Sequence, residues 1–265
     1  MASRTKQKEE ARARRLAEEQ ARAERTRRDR RIRTVGGIVL GAIVVVVVLI
    51  LINSGGKKGG IQTGAEQNAT VAAVNQMFAG IPQSGATLGN PKAPVTMTYY
   101  GDYQCPVCQA FTLQGGFPQL VSNEVRQGKV KVTYKSFCTA TCNGPNPNIF
   151  PTQQVAGLAA GKQNRFWQYT ELFYREQGQE DTGYVNEAYL TALARQTTGL
   201  NLTTWQADRN DTSLTNQVNA DQQAAKNTGV SGTPTLIFQG PKGQAAPSAA
   251  VPTYAQLQQA IKQVS

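Results

Sequence analysis

Cys105-Pro106-Val107-Cys108 places two thiols two residues apart, a spacing that lets them close into a disulfide and reopen when a substrate thiolate attacks. The residues before it, Pro94 to Tyr100, are rich in β-branched and aromatic side chains and read as a buried strand that Gly101 and Asp102 break. A helix is expected to begin near Cys105. Its free N–H groups and the positive end of its dipole would then favour thiolate over thiol, and the thiolate is the attacking species.

The same spacing also occurs in half of a zinc site, and Cys138-Thr139-Ala140-Thr141-Cys142 is a second close pair. Four thiolates could wrap one metal, which would make the chain a noncatalytic zinc-binding or scaffold protein. Against this, the second pair has three intervening residues, and Pro106 suits a helix first turn better than a metal knuckle. No metal site is therefore expected, and neither motif calls for a cofactor.

An uninterrupted apolar run of 18 residues, Val35 to Ile52, carries no charge. As a helix it would be about 27 Å long at ~1.5 Å per residue, enough to cross a bilayer. Residues 1–34 hold 13 Lys or Arg against 6 acidic residues, whereas only Lys57 and Lys58 follow closely, so residues 1–34 are expected to be a cytoplasmic basic tail. Residues 35–52 read as a retained signal anchor rather than a cleaved peptide. Of the formal net charge of +11, the tail takes +7 and leaves +4 for the rest. With no aromatic or groove-reading element in the tail, nucleic acid is not an expected partner.

All four cysteines lie beyond residue 52, outside the cytoplasm on this topology, where disulfides persist. Four cysteines allow three connectivities; spacing prefers Cys105 with Cys108 and Cys138 with Cys142. The second pair reads first as a structural disulfide closing a small loop, with an auxiliary redox pair, zinc or free thiols as the alternatives.

Residues 53–87 read as a linker, Gly-rich at first and then carrying a short amphipathic helix marked by Val71, Val74, Met77 and Phe78. Val130 to Phe137 alternates as a second strand. Between residues 151 and 229 the period turns helical, with faces such as Phe166, Tyr169 and Phe173, or Leu214, Val218 and Ala225. Pro234 to Gln239 returns to a strand, and a last helix capped by Thr253 follows.

These segments resemble the membrane-anchored DsbA-like thiol-disulfide oxidoreductases of bacteria. The resemblance rests on Gly80-Ile81-Pro82-Gln83, Leu88-Gly89-Asn90-Pro91, Ala93-Pro94-Val95-Thr96, Gly101 to Cys108 with Phe111, and Gly229 to Thr235. It implies an α/β, thioredoxin-like fold over residues 88–265 with a helical subdomain inserted at about 145–229. It further implies Cys105 as nucleophile, Cys108 as resolving cysteine, and a cis Thr233-Pro234 peptide where an extended substrate segment pairs with the backbone. Pro106, Val107, Tyr99 and Asp102 are the expected supporting residues.

The chain departs from the family pattern twice. Val107 stands where strong oxidants carry histidine, so a less oxidising potential is expected. Tyr99 stands where many relatives bury an acidic residue, leaving Asp102, water or substrate to move the proton during resolution. By resemblance the substrates are reduced exported proteins and the reoxidant is a membrane quinone-linked partner. A reductase or isomerase on the same fold is the alternative.

Overall fold

The structure is a computed structural model that describes residues 61–265. The basic tail, the apolar run 35–52 and the first part of the linker lie outside the described residues. Among the described residues no helix is long and apolar enough to cross a membrane.

A six-stranded sheet forms the centre, built from β1 (Gln83–Ser84), β2 (Thr87–Leu88), β3 (Val95–Gly101), β4 (Val130–Ser136), β5 (Thr235–Gly240) and β6 (Gly243–Ala245). Its spatial order is β1-β2-β4-β3-β5-β6. Strands β3 and β4 run parallel, and the other neighbours are antiparallel. Val95, Met97 and Tyr99 alternate with Thr96 and Thr98 along β3, so the first set is buried while the second is only partly covered.

A parallel pair needs a crossover, and the chain supplies it with α2 (Pro106–Leu113), α3 (Phe117–Leu120) and a π-helical turn (Val121–Val125). Between β4 and β5 come α4 (Ala140–Asn143), α5 (Ile149–Lys162), α6 (Phe166–Arg175), α7 (Glu187–Gln196), α8 (Leu202–Asp208) and α9 (Thr212–Asn227). The periodic residues Phe166, Tyr169, Phe173, Leu214, Val218 and Ala225 are all buried. The closing helix α10 (Tyr254–Val264) starts with a capping box in which Thr253 and Gln256 satisfy each other's backbone N–H.

The linker reading needs correction at its end. The sheet starts at Gln83 rather than after residue 87, because Gly85 (φ 54°) turns the chain between two strands of two residues each. Strands this short offer no alternation to read. The preceding helix α1 (Gly64–Phe78) buries Val74 and Phe78 in the main core, and Phe78 packs on Trp167 of α6 at 6.4 Å. It is part of the globular fold.

Candidate active site

Cys105 is the N-cap of α2, with extended backbone angles (φ −75°, ψ 117°), and Pro106 takes the first helical turn, where its missing N–H costs nothing. The Cys105 Sγ accepts the Cys108 backbone N–H at 3.4 Å. Sequence and helix start thus place one thiol over the helix N-terminus and the other one turn inside it. Both are free thiols in this structure and both are buried, Cys108 completely and Cys105 with 5% of its surface exposed.

Their acidities are driven apart. The Cys105 pKa falls below the ordinary thiol value, chiefly through the hydrogen bond from Cys108, with the Thr233 side chain and the Cys108 amide assisting and burial and Asp102 opposing. The Cys108 pKa rises well above that value, first through burial and then through the hydrogen bond and charge of Cys105. Of the two thiols, Cys105 is the one that loses its proton first.

Strand β5 pairs with β3 in a register that sets Tyr100 opposite Thr235, which brings the residues just before β5 to the cysteine end of the sheet. The Thr233-Pro234 peptide is cis. The Cys105 thiol donates to the Thr233 carbonyl at 3.3 Å. A groove of about 460 Å³ opens here, lined by Cys105, Pro106, Val107, Cys138, Ser231 and Thr233 among others.

Cys138 and Cys142 are joined in a disulfide, with Cα atoms 5.7 Å apart. A zinc ion held by all four thiolates is thus not the arrangement formed, and among the described residues no three metal-ligating side chains cluster. The small ring has a more specific partner. Asp102, fully buried, accepts the Thr139 and Thr141 N–H groups on Oδ2, each at 2.9 Å. Its Oδ1 accepts the Gln104 N–H, the Thr141 hydroxyl and the Gln153 amide. The sequence reading allowed Asp102 as a proton carrier; in the structure it is a hydrogen-bond acceptor for the surrounding loop. Its two oxygens are committed to five donors that tie the cysteine loop to the disulfide ring.

Tyr99 lies behind Cys108, fully buried, its hydroxyl within 3.3 Å of both Thr112 Oγ1 and Tyr174 Oη. Its ring meets Phe111 and Tyr134 edge-on. Burial, followed by the charge of Cys108, raises its pKa well above the ordinary value, so Tyr99 is a hydrogen-bonding group and not a base. Thr139, Thr141, Gln153 and Tyr174 were missed from the sequence. For the two threonines a signal existed, since they sit between the second pair of cysteines; Gln153 and Tyr174 lie on remote helices and carry none.

Comparison with known proteins bears on the family and the fold. A family model described as thioredoxin matches residues 83–263. Disulfide bond formation protein D of Bacillus subtilis is 27% identical over 154 residues, 56% of this chain and 65% of that protein. The chain thus spans just under two thirds of that relative's length. A probable disulfide bond formation protein D of Bacillus cereus is 24% identical over 169 residues, covering 63% of this chain and 74% of its own length. Among solved structures, oxidised BdbD from Bacillus subtilis matches with a TM-score of 0.58 at 22% identity, over 68% of this chain and 91% of that one. Wolbachia pipientis α-DsbA1 matches with a TM-score of 0.52 at 19% identity, over 72% and 95%. Those two likenesses speak for the fold alone. With a family model spanning the sheet, both cysteine pairs and the inserted helices, the chain belongs to the thioredoxin family and has the fold of its DsbA-like members.

Proposed function

We propose that the protein is a thiol-disulfide oxidoreductase that oxidises cysteine pairs in exported proteins through Cys105 and Cys108. The observation that carries this reading is the placement of Cys105 at the start of α2, beside Thr233 in the groove, with Cys108 buried one turn inside the helix; the directions in which their acidities are shifted agree with it. In the oxidised enzyme a substrate thiolate attacks Cys105 Sγ. A substrate–Cys105 bond forms, the Cys105–Cys108 bond breaks, and the Cys108 sulfur departs and takes a proton. A second substrate thiolate then attacks the substrate sulfur and Cys105 leaves as a thiolate, so two electrons pass to the enzyme. The lowered Cys105 pKa makes it a good leaving group in that second step. The raised Cys108 pKa keeps the buried thiol protonated once it has been released.

Residues 233 and 234 are the proposed docking point for an extended substrate segment, with Thr233, Pro106 and Val107 among the residues that line the groove. Regeneration needs a two-electron acceptor, for which a membrane quinone-linked partner is the fitting class. The apolar run 35–52 supports placement at the cytoplasmic membrane, single-pass, with the tail inside and the redox domain outside. No histidine stands beside Cys105, so thiolate stabilisation falls to Cys108, Thr233 and the helix amide, and a potential below that of the strongest oxidants follows.

Equilibration of the purified protein with glutathione buffers, together with an assay of disulfide formation in a reduced client, tests the direction. Client oxidation with a potential above about −200 mV supports the oxidase. A potential near thioredoxin's, about −270 mV, with client reduction instead would move the assignment to the reductase.

A further inference from the structure

Thr139 belongs to neither cysteine motif, yet it touches both. Its neighbour Cys138 is held in the small disulfide ring, and its N–H is fixed by the buried Asp102 carboxylate at 2.9 Å. Its hydroxyl is in hydrogen-bond contact with the hydroxyl of Thr233. Thr233 in turn meets the reactive sulfur, its carbonyl accepting from Cys105 Sγ at 3.3 Å, and its side chain acts to lower the Cys105 pKa. A continuous chain of contacts therefore runs from the disulfide ring through Thr139 and Thr233 to Cys105.

We infer that Thr139 is a positioning residue for disulfide exchange, acting through the Thr233 hydroxyl on the Cys105 sulfur, and that the Cys138–Cys142 ring holds it in register. This inference rests on the oxidoreductase reading above. The direction of the hydrogen bonds follows from charge. A Cys105 thiolate has no proton to give, so the Thr233 hydroxyl donates to it; the Thr233 oxygen is then left to accept, and Thr139 is the donor within reach. With Thr139 absent, the Thr233 hydroxyl is free to turn about its own side-chain bond and its proton is no longer aimed at the sulfur. The ring matters because a five-residue loop with its ends covalently joined has few conformations, and the two N–H groups that grip Asp102 come from that loop. The groups that face the Cys105 sulfur are Cys108 and Asp102 on its own segment and Thr233 opposite, with Glu180 on the groove wall. Of these, Asp102 disfavours the thiolate and the Thr233 side chain opposes that effect.

The test compares wild type with Thr139→Val, Thr139→Ser and the double variant Cys138→Ser/Cys142→Ser, using full-length protein in detergent. The readouts are the pH midpoint of the Cys105 thiolate, followed by its ultraviolet absorbance and by alkylation rate, and the rate of exchange with a cysteine peptide disulfide. In Thr139→Val the midpoint moves up and exchange near neutral pH slows roughly three- to tenfold, as expected for loss of one link in a charge-assisted hydrogen-bond chain. Thr139→Ser restores both, because it keeps the hydroxyl. The double cysteine variant shifts the midpoint in the same direction, and adding Thr139→Val to it has less effect than in wild type. An unchanged midpoint in a folded Thr139→Val protein, or no rescue by serine, overturns the inference while the oxidoreductase reading stands. No exchange at Cys105 in wild type would overturn that reading itself.

Discussion

A thiol is activated here by its neighbours in a chain without any histidine. Cys105 gains from the Cys108 thiol, from Thr233 and from an amide at the start of α2, and it loses to burial and to Asp102. Cys108 loses to burial and to Cys105 itself. This asymmetry predicts how the reduced protein responds to pH. The Cys105 pKa is depressed on folding, so its contribution to stability is present above the ordinary value of 9.0 and is lost as pH falls through the lowered value. The Cys108 pKa is raised, so its contribution is full below 9.0 and is lost as pH rises beyond it. The stability of the reduced form relative to the oxidised form should climb with pH towards 9.0 and then turn down, measured by urea unfolding of both forms. A steady fall over the same range would contradict the assignment. The motif and its helix were legible in the sequence because proline, cysteine spacing and strand pattern are local signals. The clamp on Asp102 was not, because four of its five donors lie more than 30 residues away.

At the scale of elements, the inserted helices shape the site by close approach. A Cβ placed on Gly157 of α5 would collide with the Tyr103 hydroxyl. Tyr103 is fully buried, stacked on Phe173 at 4.6 Å and hydrogen-bonded to Thr170, and lies two residues before Cys105. Gly157→Ala is expected to cost about 1–3 kcal/mol in thermal or urea unfolding and to slow exchange by displacing the cysteine loop. Unaltered stability and rate would show that α5 does not set that loop. In the helical spacing of α5 nothing marked this glycine, since its requirement comes from a partner 54 positions earlier in the chain. Helix α6 carries a different device. Burial pushes the Glu171 pKa up to about 7, with Arg175 opposing from 2.9 Å. A raised carboxyl contributes fully below its ordinary 4.5 and loses that contribution as pH rises through about 7. Glu171→Gln should therefore flatten the pH dependence of stability and gain roughly 1–3 kcal/mol above pH about 7, read by urea unfolding. A variant that is destabilised equally at every pH would refute this.

Over the whole molecule, the sheet order brings two distant segments to one end of β3. Cys105 follows that strand directly, and Thr233 arrives because β5 pairs with it antiparallel. The type and order of the main elements could be read from hydrophobic periodicity, including the return from helices to a strand at Thr235. The two short strands at the sheet edge could not, for they are fixed by the Gly85 turn and by pairing of β2 with β4. On the proposed mechanism Cys105 is the sulfur that bonds to substrates, and Cys108 is the sulfur that pairs with it in the oxidised enzyme and can resolve a mixed disulfide. The direct measurement is to incubate Cys108→Ser with a disulfide-bonded cysteine peptide and map the products by mass spectrometry. One stable peptide adduct is expected, on Cys105 alone, that wild-type protein does not accumulate. Adducts on Cys138 or Cys142, or a Cys105→Ser protein that still exchanges, would contradict it.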